Sequence, residues 1–338
     1  MSDDARPAMR AATAWRPPLV LISVEELLAT EFPPREMVLA PWLPTKGLAM
    51  IYGRRGLGKT HVALGIAWAV ATGGGFLRWT APKPRRVVIL DGEMPGETLK
   101  TRLAEISARA GVAVPEGFIR LAAADLQQRS LNLAAEADQR ELEPHLEGAD
   151  LVIVDNISTL AAYGRENEAE SWLPVQTWAL AQRRAGRTVL FLHHAGKGGA
   201  QRGTSRREDV LDTVIALREP PDYQQTEGAR FAVHFEKARG FHGRAAEPFE
   251  AALTQAGWVT RDAVDAEAER VLALRAEGLS LSEIAEETSI SRSRVHRLLR
   301  AAEGEPPRAP PAAGASEWPG DGAFHRPRTG VWDGGMIR

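Results

Sequence analysis

Residues 53–60 read Gly53-Arg54-Arg55-Gly56-Leu57-Gly58-Lys59-Thr60, with the apolar run 48–52 before them and the Ala-rich, helix-patterned stretch 62–71 after them. Glycines at this spacing let successive backbone N–H groups turn into one concavity, and the N-terminus of the following helix adds a potential that favours an anion. A lysine behind the last glycine reaches β- and γ-phosphates, and the hydroxyl beside it ligates Mg2+. The stretch therefore predicts a phosphate-binding loop for Mg-ATP between a strand and a helix. Gly53, Gly56, Leu57, Gly58, Lys59, Thr60 and His61 are its nucleotide-binding positions, and Thr60 is a metal ligand.

Outward from the loop, short apolar runs at 87–90, 151–154, 189–192 and 214–217 alternate with helix-length segments. That alternation predicts an α/β fold with a mostly parallel central sheet covered on both faces. The runs 231–235 and 248–253 are spaced for antiparallel strands or hairpins at one edge. Beyond them the pattern is helical from 262 to about 302. Residues 1–18 and 303–338 are polar or rich in Pro, Gly and Arg, the composition of disordered tails. The expected organisation is a tail over 1–18, an ATPase domain over 19–260, a helical module over 262–302 and a second tail over 303–338.

Composition sets limits on partners and location. Lys and Arg number 42 against 44 Asp and Glu, a formal net charge of −2, so no global field draws the chain to nucleic acid. Any such contact has to come from local basic patches. The absence of cysteine excludes disulfides, thiolate metal sites and cysteine nucleophiles. Asp3, Asp4, Arg6 and Arg10 interrupt the N-terminus, and no long uncharged apolar span follows, so neither a signal peptide nor a membrane segment is expected. The cytoplasm is the expected location.

The remaining parts of an ATPase site fall at strand ends, where open α/β sheets hold their ligands. The run Val87-Val88-Ile89-Leu90 ends in Asp91-Gly92-Glu93, which places carboxylates at that edge. Glu93 is the candidate general base that orients and deprotonates the attacking water, with Asp91 as the lesser choice. The run Leu151-Val152-Ile153-Val154-Asp155 has the form of a Walker B strand, and Asp155 is expected to hold Mg2+ together with Thr60. The strand over 188–192 ends in His193-His194, and since neighbours on a strand point to opposite faces, one ring faces the nucleotide. His194 is the candidate γ-phosphate sensor, with His193 the alternative. The Gly-rich loop 195–207 carries Lys197, Arg202, Arg206 and Arg207, which suits phosphate-backbone contact with single-stranded DNA as well as a merely solvated role. Lys237 and Arg239 lie two residues apart at a strand end, hence on one face, where they can neutralise charge on a transferring phosphoryl group.

Taken together, the stretch from about residue 43 to 253 resembles the RecA-like ATPases of the plasmid RepA and DnaB hexameric helicase group. The matching pieces are the 48–60 strand and loop, Val88-Ile-Leu-Asp-Gly-Glu-Met94, Ile153-Val-Asp-Asn156, Leu192-His-His-Ala-Gly-Lys197 with Arg202-Gly203, and Lys237-Ala-Arg239. The resemblance implies that Glu93 is the catalytic base, that His194 is the sensor, and that Lys237 and Arg239 act across a subunit interface, with Lys59 completing the catalytic set. It also implies a homo-oligomer, most naturally a hexamer. Arg54-Arg55 depart from the smaller residues usual early in such a loop.

Residues 267–275 and 279–300 read as three helices, which the group does not require. Ser280 with Glu283 forms a capping box, Ser291 can cap the last helix, and Ile284, Ala285, Ile290, Val295 and Leu298 fall on an inward face. The last helix is the most basic in the chain, with Arg292, Arg294, Arg297 and Arg300 outward. It resembles the recognition helix of resolvase-like helix-turn-helix units, which reads duplex DNA from the major groove. Ser289 stands at the turn position often held by glycine. The expected function is an ATP-driven DNA motor of the replicative-helicase kind. The alternative is an ATP-switched DNA-binding regulator or loader without unwinding activity, and a more remote one is a recombinase-like filament protein.

Overall fold

The computed structural model describes residues 19–161, 168–196, 209–220 and 222–302. Along the chain these form α1 (Val24–Ala29), β1 (Met37–Leu39), β2 (Leu43–Pro44), β3 (Leu48–Gly53), α2 (Lys59–Thr72), β4 (Gly75–Phe76), β5 (Trp79–Thr80) and β6 (Val87–Asp91). Then come α3 (Gly96–Ala110), β7 (Ile119–Ala123), α4 (Glu136–Leu142), β8 (Leu151–Asp155), α5 (Ile157–Leu160), α6 (Glu168–Arg184) and β9 (Thr188–His194). The last elements are β10 (Thr213–Arg218), β11 (Arg230–Ala238), β12 (Phe249–Thr254), β13 (Gly257–Asp262), α7 (Ala263–Ala276), α8 (Leu281–Thr288) and α9 (Arg292–Ala302).

The main sheet runs β13-β12-β11-β10-β3-β9-β8-β6-β7. Its centre is parallel: β3 pairs with β9, β9 with β8, β8 with β6 and β6 with β7. Every residue of β3, β6, β8 and β9 is buried, which is why these strands read as unbroken apolar runs instead of alternating ones. The fold is α/β and RecA-like, with β11 and β12 antiparallel at one edge as their spacing predicts and β13 pairing antiparallel beyond them.

The residues fall into two compact units. The first comprises those up to Gly53, then Lys59–Ile215 and Phe235–Ala246. Within it α2 is buried almost all round, which its Ala-rich sequence permits. At Gly65 a Cβ would stand 2.1 Å from the Phe76 ring, so only glycine lets α2 approach the small β4–β5 hairpin this closely. Asp212 ties the base of this unit, accepting from the Leu48 N–H at 3.0 Å and from the Arg183 guanidinium at 2.6 Å.

The second unit comprises Arg54–Gly58, Ala216–His234 and the residues from Glu247 on. Its β12–β13 hairpin leads without a linker into α7. A charged network fastens that helix. Glu250, whose side chain is 5% exposed, accepts from Arg261 at 2.9 Å and also meets Arg270 of α7. Asp222 receives Arg270 at 2.8 Å and Arg230 at 3.0 Å. Opposite charges clustered around a buried carboxylate in this way hold their geometry, because removing any partner would strand charge away from water.

Helices α7, α8 and α9 close around Val271, Ile284 and Val295, with Ala285, Ile290 and Leu298 packed against them. The Ser280–Glu283 capping box opens α8, and the Ser291 hydroxyl accepts the Arg294 N–H at 3.3 Å to open α9. Ser289 adopts φ 57°, the left-handed turn that glycine fills in related units. Two strands of the main sheet were not legible beforehand. β7 lies at the sheet's edge with Arg120 and Leu121 exposed, so its pattern lacks an apolar run, and β13 is largely exposed. Helix α7 also begins at Ala263, ahead of the expected 267, because the chain passes straight from β13 into it. Truncating Ile284 to Ala should destabilise the three-helix unit by about 2–5 kcal/mol. Hydrogen exchange would then speed up in α8 while the amides of β3 and β8 keep their protection.

Candidate active site

Strand β3 delivers the loop and α2 leaves it. Gly56 and Gly58 sit at φ 81° and 96°, the region where side-chain-bearing residues are strained, and a Cβ on Gly58 would lie 2.8 Å from that of Ala229. Both glycines are thus required by backbone shape, and Gly58 by space as well. Lys59 opens α2, nearly buried, and its Nζ donates to the Gly53 carbonyl at 2.9 Å, folding the ammonium back over the loop. Arg54 is paired with Glu219 at 2.7 Å. His61 lies on α2, where burial first and then the positive Arg102 bring its imidazole down to about 4, so the ring is neutral at pH 7.

Thr60 and Asp155 meet directly: the Thr60 hydroxyl donates to the Asp155 carboxylate at 2.7 Å. Asp155 ends β8 and is 3% exposed. Burial lifts its carboxyl to about 6, against which the Thr60 hydrogen bond works. A desolvated carboxylate beside a hydroxyl, at the mouth of a glycine loop, is a hard-oxygen donor set that suits Mg2+. The residues therefore fit a magnesium-bound triphosphate, whose metal Thr60 and Asp155 would hold and whose phosphate oxygens the loop N–H groups and Lys59 would hold.

The two acids after β6 have different surroundings. Asp91 is buried, which raises its carboxyl, and its Oδ1 accepts the N–H groups of Glu93 at 2.9 Å and Met94 at 2.6 Å. It shapes the turn. Glu93, made available by that turn, has a half-exposed side chain. Its Oε2 accepts from Asn156 Nδ2 at 2.8 Å, and its Oε1 lies 3.4 Å from His194 Nε2. Asn156 Nδ2 is also 3.2 Å from His194 Nε2. Three strand ends, those of β6, β8 and β9, thus bring Glu93, Asn156 and His194 into one cluster. His193, its neighbour on β9, is buried in the sheet.

Asn156 had no role assigned from sequence. The signal available was a second polar residue directly after the Walker B acid, and a buried amide needs partners for its donors and acceptor. Lys237 is the next-to-last residue of β11 and Arg239 follows the strand, exposed, with its backbone N–H bonded to the Asp212 carbonyl at 3.0 Å. Tyr52, one residue before the loop, donates to Glu236 at 2.6 Å, a side-chain bond that ties β3 to that end of β11, two strands away in the sheet. Lys197, Arg202, Arg206 and Arg207 lie outside the described residues. On α9, Arg292 and Arg297 are exposed, whereas Arg294 is engaged by Glu267 of α7.

An AAA domain model matches residues 15–200, more than half of the chain. The chain belongs to the AAA-domain family. The rest of this AAA-domain ATPase carries a second match, a homeodomain-like domain over residues 263–309, which coincides with the three helices around Val271. Among solved structures it is similar to a KaiC-like protein of the hyperthermophilic archaeon Pyrococcus horikoshii, at 18% identity over 64% of this chain and 90% of that one, with a TM-score of 0.48. No curated protein matches it. Among the described residues no helix is long and apolar enough to cross a membrane.

The Asp155 carboxyl gives the site a pH signature. Without Mg2+, the folded protein keeps this proton to about pH 6 while an ordinary aspartate releases it near 3.8. The native state binds the extra proton in between, so this group's contribution to stability falls as pH rises through that window. His61 acts with the opposite sign, costing stability as pH drops from 6.5 towards about 4. Comparing Asp155→Asn with the unaltered protein in metal-free denaturation isolates the first effect: the variant should gain relative stability at about pH 7 and little or none at about pH 4.

Proposed function

We propose that this AAA-domain protein is an ATP-driven DNA motor, a RepA-like replicative helicase of a plasmid, phage or integrated element, working in the cytoplasm as a ring-forming homo-oligomer, of six subunits as the resemblance implies. The observation that carries the hydrolytic part is the convergence of Glu93 and His194 at the same sheet edge as the Thr60–Asp155 pair. Lys59 and the loop N–H groups bind the triphosphate. Glu93 accepts the proton of the attacking water, and His194 registers the γ-phosphate from beside it. Mg2+, when bound, supplies charge neutralisation at the phosphate oxygens. Lys237 and Arg239 of an adjacent protomer stabilise charge on the transferring phosphoryl group, as the resemblance implies.

DNA is engaged at two places in this reading. Loop 195–207, with Lys197, Arg202, Arg206 and Arg207, follows a single strand, and the homeodomain-like unit docks on duplex through the exposed Arg292 and Arg297, with Arg294 at their side. The exposed pair is free of the ion pairing that holds Arg294 to Glu267, which supports their use on phosphate or base edges.

One observation favours a second reading, an ATP-switched DNA-binding regulator or loader. Arg54–Gly58 of the phosphate loop share a compact unit with the helix-turn-helix, and the Glu250–Asp222 network fastens α7 within that unit. A helix-turn-helix fastened within the unit that carries part of the phosphate loop suits a nucleotide-controlled change in duplex binding. A strand-displacement assay on a forked duplex separates the two: the motor reading expects ATP-dependent unwinding, while tight duplex binding that changes with ATP but releases no strand supports the switch. Mixing Arg239→Ala with Lys59→Ala subunits should restore part of the lost ATPase activity if the cation acts across an interface. No recovery at any mixing ratio means that it acts within its own subunit.

A further inference from the structure

We propose that Asn156 is a positioning residue that holds the Glu93 carboxylate and the His194 ring in one register and keeps His194 in the tautomer with its proton on Nδ1. The role rests on the reading of Glu93 as the base. Asn156 is fully buried, at 0% exposure, and follows the Walker B acid as the N-cap of α5. Its Oδ1 accepts the Ser158 N–H at 2.9 Å, and its carbonyl oxygen accepts the Leu160 N–H at 3.1 Å. The first of these bonds settles which end of the amide is oxygen. Nδ2 must then be the atom facing the cluster.

An amide nitrogen carries two hydrogens and no lone pair to offer. One hydrogen goes to Glu93 Oε2 at 2.8 Å and the other to His194 Nε2 at 3.2 Å. Nε2 is therefore an acceptor, and a neutral imidazole that accepts at Nε2 carries its proton on Nδ1. A proton on Nε2 would bring N–H against N–H at 3.2 Å and turn the ring toward Glu93 Oε1 at 3.4 Å. That contact would occupy the carboxylate needed for water. Asn156 thus leaves the carboxylate available while fixing the imidazole beside it, and it does so from a turn anchored to the strand that carries Asp155.

The sequence pattern offers no substitute. Asp at 156 would keep the cap on Ser158 but present an acceptor to a carboxylate, and Ala would leave both partners unheld.

The test has a part that needs no variant. Nitrogen-15 NMR of histidine-labelled protein, with His194 assigned by difference from His194→Gln, should show a protonated Nδ1 and an acceptor-type Nε2. A protonated Nε2 in the neutral ring overturns the arrangement. In parallel, Asn156→Asp should retain ATP affinity within about threefold but lose about 10²-fold or more in kcat, the range for a displaced general base. Glu93→Gln, run alongside, separates the two levels of the argument. Full turnover in Glu93→Gln sinks the base assignment, and with it this role for Asn156. Loss in Glu93→Gln together with unaltered turnover in Asn156→Asp overturns the positioning role alone.

Discussion

A carboxylate buried at the end of a parallel strand is the constraint around which this protein is arranged. Asp155 terminates β8 with 3% of its surface exposed, and its burial alone would favour the neutral acid. The Thr60 hydroxyl and the charge of Lys59 work against that burial, and a desolvated carboxylate held in this way suits a bound cation. The parallel sheet makes this possible. With every residue of β3, β6, β8 and β9 covered, the strand ends form a dry floor on which a charge interacts more strongly than at an open surface.

The same floor explains the division of labour among polar groups. Asp91 and Asn156 both serve backbone turns, the first by accepting two N–H groups and the second by capping α5. Each thereby presents a neighbour. The turn shaped by Asp91 raises Glu93 to the surface, and the cap made by Asn156 turns its amide hydrogens toward Glu93 and His194. In a buried polar cluster each donor needs an acceptor, and satisfying that requirement fixes orientation as a by-product. The helix-turn-helix is held by a comparable logic, with Glu250 and Asp222 collecting arginines from β11, β13 and α7.

Several elements were open to reading because their signals are local. The phosphate loop is spelled by residue types that backbone shape and phosphate chemistry require, and the capping box of α8 by a four-residue pattern realised as Ser280 and Glu283. The inward face of the three-helix unit follows from helical period, and Ile284 and Val295 lie at its centre. Less visible were β7 and β13, since exposed edge strands lack the apolar run that marks a central one. Val271 lies within the expected 267–275 helix, but only the packing of α7 against α8 and α9 shows it on the inward face.

By itself the sequence determined the α/β class, the nucleotide loop and the appended helical unit, because each depends on period, spacing or residue type within one short segment. Tertiary structure alone decided that Asp91 shapes a turn while Glu93 stays half exposed, that Asn156 joins Glu93 to His194, and that Arg294 is engaged by Glu267. Those outcomes depend on which strand ends lie side by side. Residues 93, 156 and 194 are distant along the chain, and only the order β9-β8-β6 in the sheet sets them at hydrogen-bonding distance.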